Sequence, residues 1–368
     1  MTIQRNPIQK GKRISDAVSI LADGKSFDGW KSTSIQKSIE SIANSFSMDV
    51  HDKFGELKEK WPLVPGTEIK ISIGDEPVFE GFIEVVEPSY RSGSRSYIFS
   101  GRSKAGDIVD SSHIGPSEFK NISLDKLAQE LVAPFGIKVL VSVEPKIIEK
   151  FAVKPNETVF EAIDRAARAQ GFFFVSTRAG NIRLTRAGRL PSFSKLSEDI
   201  NIKAASGRYD DSKRHSEYFV KGQTVGLPEF FGDKAAQPKG EAKDLGVTRF
   251  RPLTILAESN VDGNSAKIRA QWEASNRLAK AIRVTIGVQS WRQEDGSLWG
   301  INQITHVKSP TLGLNREMLI SAVTLKKGNT GGTETEMTLL DPQAYTLAPN
   351  LNKKKGSDIM AALGANFA

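Results

Sequence analysis

A chain of 368 residues is too long for one ordinary hydrophobic core and implies several domains. With 39 % hydrophobic and 26 % charged residues it has a globular composition, and no apolar run approaches a membrane span, so stable membrane insertion is not expected. The lack of cysteine excludes disulfides, thiol nucleophiles and thiolate zinc sites, while the formal charge of +8 suits an acidic partner or nucleic acid.

The basic N-terminus, residues 1–13, has no apolar segment behind it of the kind a secretory signal needs. Residues 14–104 read as mainly β. Val18, Ile20 and Ala22 alternate before the turn at Asp23-Gly24, and Gly29-Trp30 opens the next segment. Ile35, Ile39, Ile42 and Phe46 have helical spacing. Serine and threonine are dense here, however, and Phe46, Met48 and Val50 alternate, so two strands joined near residues 41–45 are preferred to a helix. A loop over 61–66 leads into alternating Ile69, Ile71 and Ile73. Residues 74–77 turn the chain into a strand over 78–86, and Tyr97, Phe99 and Gly101 complete the set. Short strands with regular turns predict a small barrel or sandwich.

Residues 105–190 change character. Ser123 caps a helix bearing Leu124, Leu127 and Leu131, ended by Pro134 and Gly136 and followed by a strand over 137–143. Thr158 caps a second helix with Val159, Ile163, Ala166 and Ala167, ended by Gly171 and followed by a strand over 172–176. Cap to glycine is the same length in both, so 123–136 and 158–171 form an internal repeat, or two copies of a common αβ unit. With a turn at 178–181 and a strand at 182–185, this is a helix–strand α+β domain.

Residues 191–245 return to β signals around Tyr218–Gly222, then enter a Gly/Pro/Lys-rich loop over 226–246. A strand over 251–257 leads to a helix capped by Asn264. Ile268, Trp272, Ala279 and Ile282 make its apolar face, and Lys267, Arg269, Glu273, Asn276, Arg277 and Lys280 lie opposite. From Val284 the period falls to 2. Residues 294–297 form a turn with Gly296 free to take positive φ, and Trp291 and Trp299 flank it. A buried tryptophan covers roughly 150–250 Å², so Trp30, Trp272, Trp291 and Trp299 are candidates for core or interface. Residues 304–307 continue the sheet, and strands at 318–325 and 333–340 flank a glycine-rich tip at 328–332. Residues 346–368 read as a basic C-terminal tail.

Positive charge gathers at Lys203, Arg208, Lys213 and Arg214 and at Lys353, Lys354 and Lys355. Solvated surface explains it, as does a channel lining or tail, but no basic and aromatic interleaving of the base-stacking kind accompanies it. Gly24-Lys25-Ser26 resembles the end of a phosphate loop, yet Ser19 stands where the first glycine belongs. His51, His113, His215 and His306 lie in separate segments without metal spacing. No catalytic, cofactor or metal residue is expected.

Three stretches carry a resemblance. They are Gly29-Trp30 running to Ser38-Ile39-Glu40-Ser41-Ile42 and Phe46; Glu157-Thr158-Val159-Phe160-Glu161-Ala162-Ile163; and Trp272-Glu273-Ala274-Ser275-Asn276-Arg277 with Gly296-Ser297-Leu298-Trp299. In order and spacing they resemble the baseplate hub proteins of contractile-tailed phages, Mu type, a family related to the base of type VI secretion spike proteins. The resemblance spans most of residues 14–345. It implies an α+β, mainly β fold with two similar antiparallel barrel-like domains, at 14–104 and at 191–245 with 283–345. The α+β domain would lie at 105–190 and an inserted strand–helix element at 246–282. It further implies a homotrimer whose barrels alternate around a pseudo-sixfold ring in the virion tail baseplate. That ring joins the tail tube protein to the central spike protein, with DNA passing through its channel. A tail-associated peptidoglycan or carbohydrate hydrolase, and a nucleic-acid binder, are the competing readings.

Overall fold

The computed structural model describes residues 15–52, 63–92, 94–188, 190–221, 239–256, 263–328 and 332–345. They fold as two compact units. One draws on Met1–Ala205 and Thr285–Leu339, the other on Ser206–Val284 and Leu340–Ala368.

In the first unit the chain runs β1 (Val18–Ala22), β2 (Lys25–Phe27), β3 (Ser32–Ser38), β4 (Ser45–Asp52), β5 (Glu68–Ile73), β6 (Glu76–Arg91) and β7 (Ser94–Ser103). A smaller layer follows: α1 (Ala105–Asp110), β8 (Glu118–Ser123), α2 (Leu124–Val132), β9 (Val139–Val141), β10 (Ile147–Ala152), α3 (Val159–Gln170), β11 (Phe173–Ser176) and β12 (Ile182–Thr185). After short β13 (Leu190–Pro191) and β14 (Leu196–Ser197), β15 (Ile202–Tyr209) carries the chain into the second unit. That unit holds β16 (Glu217–Lys221), β17 (Lys239–Lys243), β18 (Pro252–Leu256) and α4 (Gly263–Lys280). The chain returns through β19 (Ile282–Gln289) to β20 (Gln303–Ser309), β21 (Leu314–Gly328) and β22 (Gly332–Leu340).

One large sheet dominates the first unit, in the order β15-β19-β22-β21-β3-β4-β7-β6-β5-β1-β2, with β20 against β21 and β13 and β14 against β20. The antiparallel pairing of β21 with β3, Leu325 opposite Ile35, fuses the N-terminal and C-terminal β segments into that sheet. No closed barrel forms among the described residues, where the order ends at β2 and β15. Alternation buries Ile69, Ile71 and Ile73 of β5 with Ile20, Phe79 and Phe99. Asp23 and Gly24, both at positive φ, form the two-residue hairpin turn from β1 to β2, so Gly24-Lys25-Ser26 belongs to a hairpin and not to a phosphate loop.

Residues 34–46 are two strands, as preferred from their alternation. The helix-like spacing has a separate cause. Ile35 and Phe46 face each other across the β3–β4 pair, while Ile39 and Ile42 are buried from the connecting loop. Ile42 joins the core of the smaller layer, and its carbonyl accepts from Ser176 Oγ at 2.6 Å.

That core gathers Leu124, Leu127 and Leu131 of α2 with Val159, Ile163 and Ala166 of α3. Both expected helix–glycine–strand units are present, but they begin differently. Thr158 and Glu161 exchange hydrogen bonds in a capping box, whereas the Ser123 side chain makes no cap bond. Gly136 and Gly171 both take the left-handed conformation that stops the chain. The strands that follow them meet on β12, parallel to β9 and antiparallel to β11.

The turn at 294–297 forms as read, with Gly296 at φ 84° and Trp299 N–H donating to the Trp291 carbonyl at 3.0 Å. Lys239–Lys243, taken from sequence as part of a loop, is strand β17. It pairs with β16, and β16 with β18, so one three-stranded sheet draws strands from both sides of the expected boundary at 245/246. The rest of that loop before Lys239, the tip residues 329–331 and the tail 346–368 lie outside the described residues.

Candidate functional site

In the second unit α4 packs on the small sheet through Ala266 and Ala270 against Tyr218 and Val220. Small residues are required because the backbones nearly touch. A Cβ on Gly240 would lie 2.0 Å from the Ala266 carbonyl carbon. This close approach turns the helix away from the orientation its large apolar residues suggested. The buried positions are Ala266, Ala270, Glu273, Asn276 and Ala279, while Ile268 and Trp272 are only half-buried. The helix also starts at Gly263, which places Asn264 inside the first turn and not at the cap.

Burial of Glu273 and Asn276, read from sequence as solvent-facing, is compensated by hydrogen bonding. Glu273 accepts from Arg269 at 2.8 Å and from Arg277 at 3.2 Å, one turn to either side. Asn276 Nδ2 donates to the carbonyls of Gln343 and Ala344 at 3.2 and 3.1 Å, tying the turn Pro342–Tyr345 to the helix.

Between the C-terminal half of α4, the end of β15 and the turn Asp211–Lys213 lies a cavity of about 630 Å³. Five cationic side chains line it: Arg208, Lys213, Arg277, Lys280 and Arg283. Its two carboxylates, Asp210 and Glu273, are engaged. Hydrogen bonds from Ser212 and then Arg208 hold Asp210 below the usual carboxylate range, and Glu273 accepts from the two arginines named above. Trp272 forms part of the wall, with the Arg269 guanidinium 5.0 Å from its ring centre. Its Nε1–H is buried and has no acceptor among the described residues. His215, close enough to feel Arg277, is held below the ordinary imidazole range by burial and by the charges of Arg277 and Arg251.

The residues singled out from sequence take different places. Arg208 and Lys213 meet in this cavity, together with Trp272. Lys203 instead pairs with Glu334 in the first unit. Arg214, read as a surface cation, is buried: its fork donates to both oxygens of Asp244, at 2.9 and 2.8 Å, and Nη1 reaches Asp211. Lys353, Lys354 and Lys355 lie outside the described residues. Trp291 and Trp299 are core, the former donating Nε1–H to the carbonyls of Lys326 and Glu334 at 2.9 and 3.0 Å. Trp30 is half-buried, edge-on to Phe99 at 6.1 Å. Arg283 was not singled out, and Arg277 and Lys280 were read only as a polar helix face. The i, i+3 spacing of Arg277 and Lys280 is the one signal that could have marked a basic helix edge; Arg283 lies beyond the helix on β19. Among the described residues no three His, Asp or Glu side chains are grouped to hold a metal ion.

Comparison with known proteins bears on what such a chain is for. Residues 17–103 match the family described as Mu phage baseplate assembly protein GpP-like, N-terminal, and residues 263–348 match the fourth domain of GpP. Residues 105–186 match the second domain of the gp44-like baseplate hub proteins. The baseplate hub protein gp44 of Escherichia phage Mu is 30 % identical over 364 residues, covering 96 % of this chain and 95 % of that protein. The crystal structure of the 43 kDa tail protein of prophage MuSo2 from Shewanella oneidensis is 30 % identical, with a TM-score of 0.78 over 89 % of this chain and 99 % of that one. The tail protein of Neisseria meningitidis MC58, 23 % identical, shares the fold with a TM-score of 0.73 over 89 % of this chain and 98 % of that one. With identity of this level along nearly its whole length, and hub families matched in its N-terminal, middle and C-terminal parts, the chain belongs to the Mu-type baseplate hub proteins, structural components of the phage tail.

Proposed function

We propose that three copies of this hub protein close into a ring that joins the tail tube above to the central spike below, and that the ring works without catalysis. The observation that carries the reading is the β3–β21 pairing, which sets the two β-rich segments side by side in one sheet of one chain. In the reading, each segment supplies one barrel-like wall, so three chains present six similar walls to a sixfold tube and three to a threefold spike. The walls are drawn from 14–104 and from those strands of 191–245 with 283–345 that join the large sheet, whereas β16 and β17 form a separate sheet with β18. Pairing walls between neighbours covers the strand edges that would otherwise associate without selectivity. Cyclic closure also stops assembly at a fixed size. DNA passes through the central channel in this scheme. The hub family supports the tube and the spike as partners.

Electron cryo-microscopy of the assembled baseplate tests the proposal by counting hub chains per ring. Three chains with alternating β-rich segments are expected; six chains, or one, would overturn it. Release of cell-wall fragments by the purified chain, abolished by a single Asp or Glu substitution, would contradict the non-catalytic part.

A further inference from the structure

We infer that the loop 244–251 of the second unit is a docking knob for a baseplate protein other than the hub chain. Leu245 and Phe250 enter an apolar depression of that partner, and Arg249 pairs with a carboxylate on its rim. The loop lies outside the large sheet from which the ring walls are drawn, so the inference rests on membership of the hub family and not on the ring.

The loop is firmly built. It crosses the start of β16, linking the end of β17 to the start of β18. Ser216 grips both of its ends: Asp244 N–H donates to the Ser216 carbonyl at 3.1 Å, and Ser216 N–H donates to the Arg251 carbonyl at 2.9 Å. Arg251 N–H returns a bond to Ser216 Oγ at 2.8 Å. Asp244 fixes the first turn, its carbonyl accepting from Val247 N–H at 3.1 Å and its Oδ1 from Gly246 N–H at 3.0 Å. The buried Arg214 fork holds that carboxylate in turn. Gly246 leaves room for the fork, since a Cβ there would lie 2.3 Å from Arg214 Nη2.

What this framework presents to solvent is apolar. Leu245 is 90 % exposed and Phe250 85 %, each next to a residue anchored on Ser216. Their anchors lie two strand spacings apart, about 10 Å. Single exposed apolar side chains are ordinary. Two on one pinned loop are preorganised, so binding costs little further ordering entropy. Aromatic anchors of this kind fill pockets at the centre of interfaces. Arg249, beside Phe250, is exposed and meets no carboxylate among the described residues.

Charge selects the occupant. The exposed cation asks for an acidic neighbour. A second copy of the chain brings a formal charge of +8, and the chain's own tail brings Lys353, Lys354 and Lys355. Residues 222–238 and 257–262 leave the small sheet at its far end, beyond Lys221 and Leu256, which pair there. A phosphate backbone would engage Arg249 but leave Leu245 uncovered. A lipid surface takes apolar side chains in any arrangement and gives no reason for the pinning.

The test places a photoreactive group in the loop of the full chain, as Phe250→benzoylphenylalanine, in tails assembled in the producing host. Irradiation is followed by mass spectrometry of the adduct. A cross-link to a tail protein other than the hub is expected, at an apolar stretch with Asp or Glu close by in its sequence. Arg249→Glu in the same chain should lower the adduct yield about tenfold or more, while Arg249→Lys keeps most of it. Both substitutions fall on an exposed side chain, and an unaltered melting temperature confirms the fold. Equal yield with Arg249→Glu, a cross-link to another hub chain alone, or no cross-link in complete tails would overturn the inference. So would a cross-link to DNA, or sedimentation of the chain with phosphatidylglycerol vesicles that the double variant Leu245→Ser, Phe250→Ser abolishes. The number of hub chains per ring does not enter the readout, so failure of the ring and failure of the knob are told apart.

Discussion

Lys37 shows how an individual residue can work against the fold that holds it. The residue is half-buried on β3, but its ammonium is enclosed; burial and then the like charge of Arg178 push it down to about 7, with Glu76 opposing. The unfolded chain keeps the ordinary lysine value near 10.5. Between those two values the unfolded state binds more protons than the folded one, so stability rises with pH across the window, and below it the full penalty applies. Lys37→Met is expected to melt higher than the native chain at pH 6, with the advantage shrinking as pH approaches the ordinary lysine range. Calorimetry at several pH values checks this, and a difference independent of pH would refute it. Trp291 is the opposite case. It is fully buried with Nε1–H shared between two strand carbonyls, so both its area and its polar atom are satisfied.

At the scale of elements, the contact between α4 and β17 is set by what is absent from it. Gly240 has no side chain where a Cβ would strike the Ala266–Lys267 peptide at 2.0–2.2 Å. Backbone cannot swing aside as a side chain does, so Gly240→Ala must push the helix off the sheet. The expected cost is about 1–3 kcal/mol, as for other overpacked contacts. Because Gly240 lies in the second unit, the loss should be local. Hydrogen exchange is expected to quicken in β16, β17, β18 and α4 while β5, β6 and β7 keep their protection. Uniform acceleration across both sets would show that the contact stabilises the chain as a whole.

For the whole molecule, the decisive element is the pair formed by β3 and β21, which lie nearly three hundred residues apart in the chain. A fragment ending at Ser103 would keep β1–β7 yet leave the β3 edge open, an edge carrying buried Thr33 and Ile35. Size-exclusion chromatography of that fragment is expected to show self-association that co-expression with residues 285–345 suppresses. A monomeric, cooperatively melting fragment would mean that the N-terminal segment closes on itself without its distant partner.

Much of this was legible in the linear chain because it depends on near neighbours. Alternation at Ile69, Ile71 and Ile73, the cap at Thr158, the glycine stops at 136 and 171 and the turn at 294–297 are all local, and each formed as read. The resemblance to the hub family was also read from sequence, and identity of 30 % along nearly the whole chain bears it out. What local pattern could not determine was which surfaces meet. Trp272 looked like the natural core residue of α4, but Gly240 and two alanines let the backbones approach so closely that the small face went inward. Glu273 and Asn276 were buried with it, and Trp272 was left on a cavity wall. Arg214 and Arg208 were alike as basic residues until Asp244, thirty residues along the chain from Arg214, drew one of them inside. The basic cavity itself joins a strand end, a turn and a helix. Its existence is a matter of tertiary packing, since no spacing rule links Arg208 to Lys280.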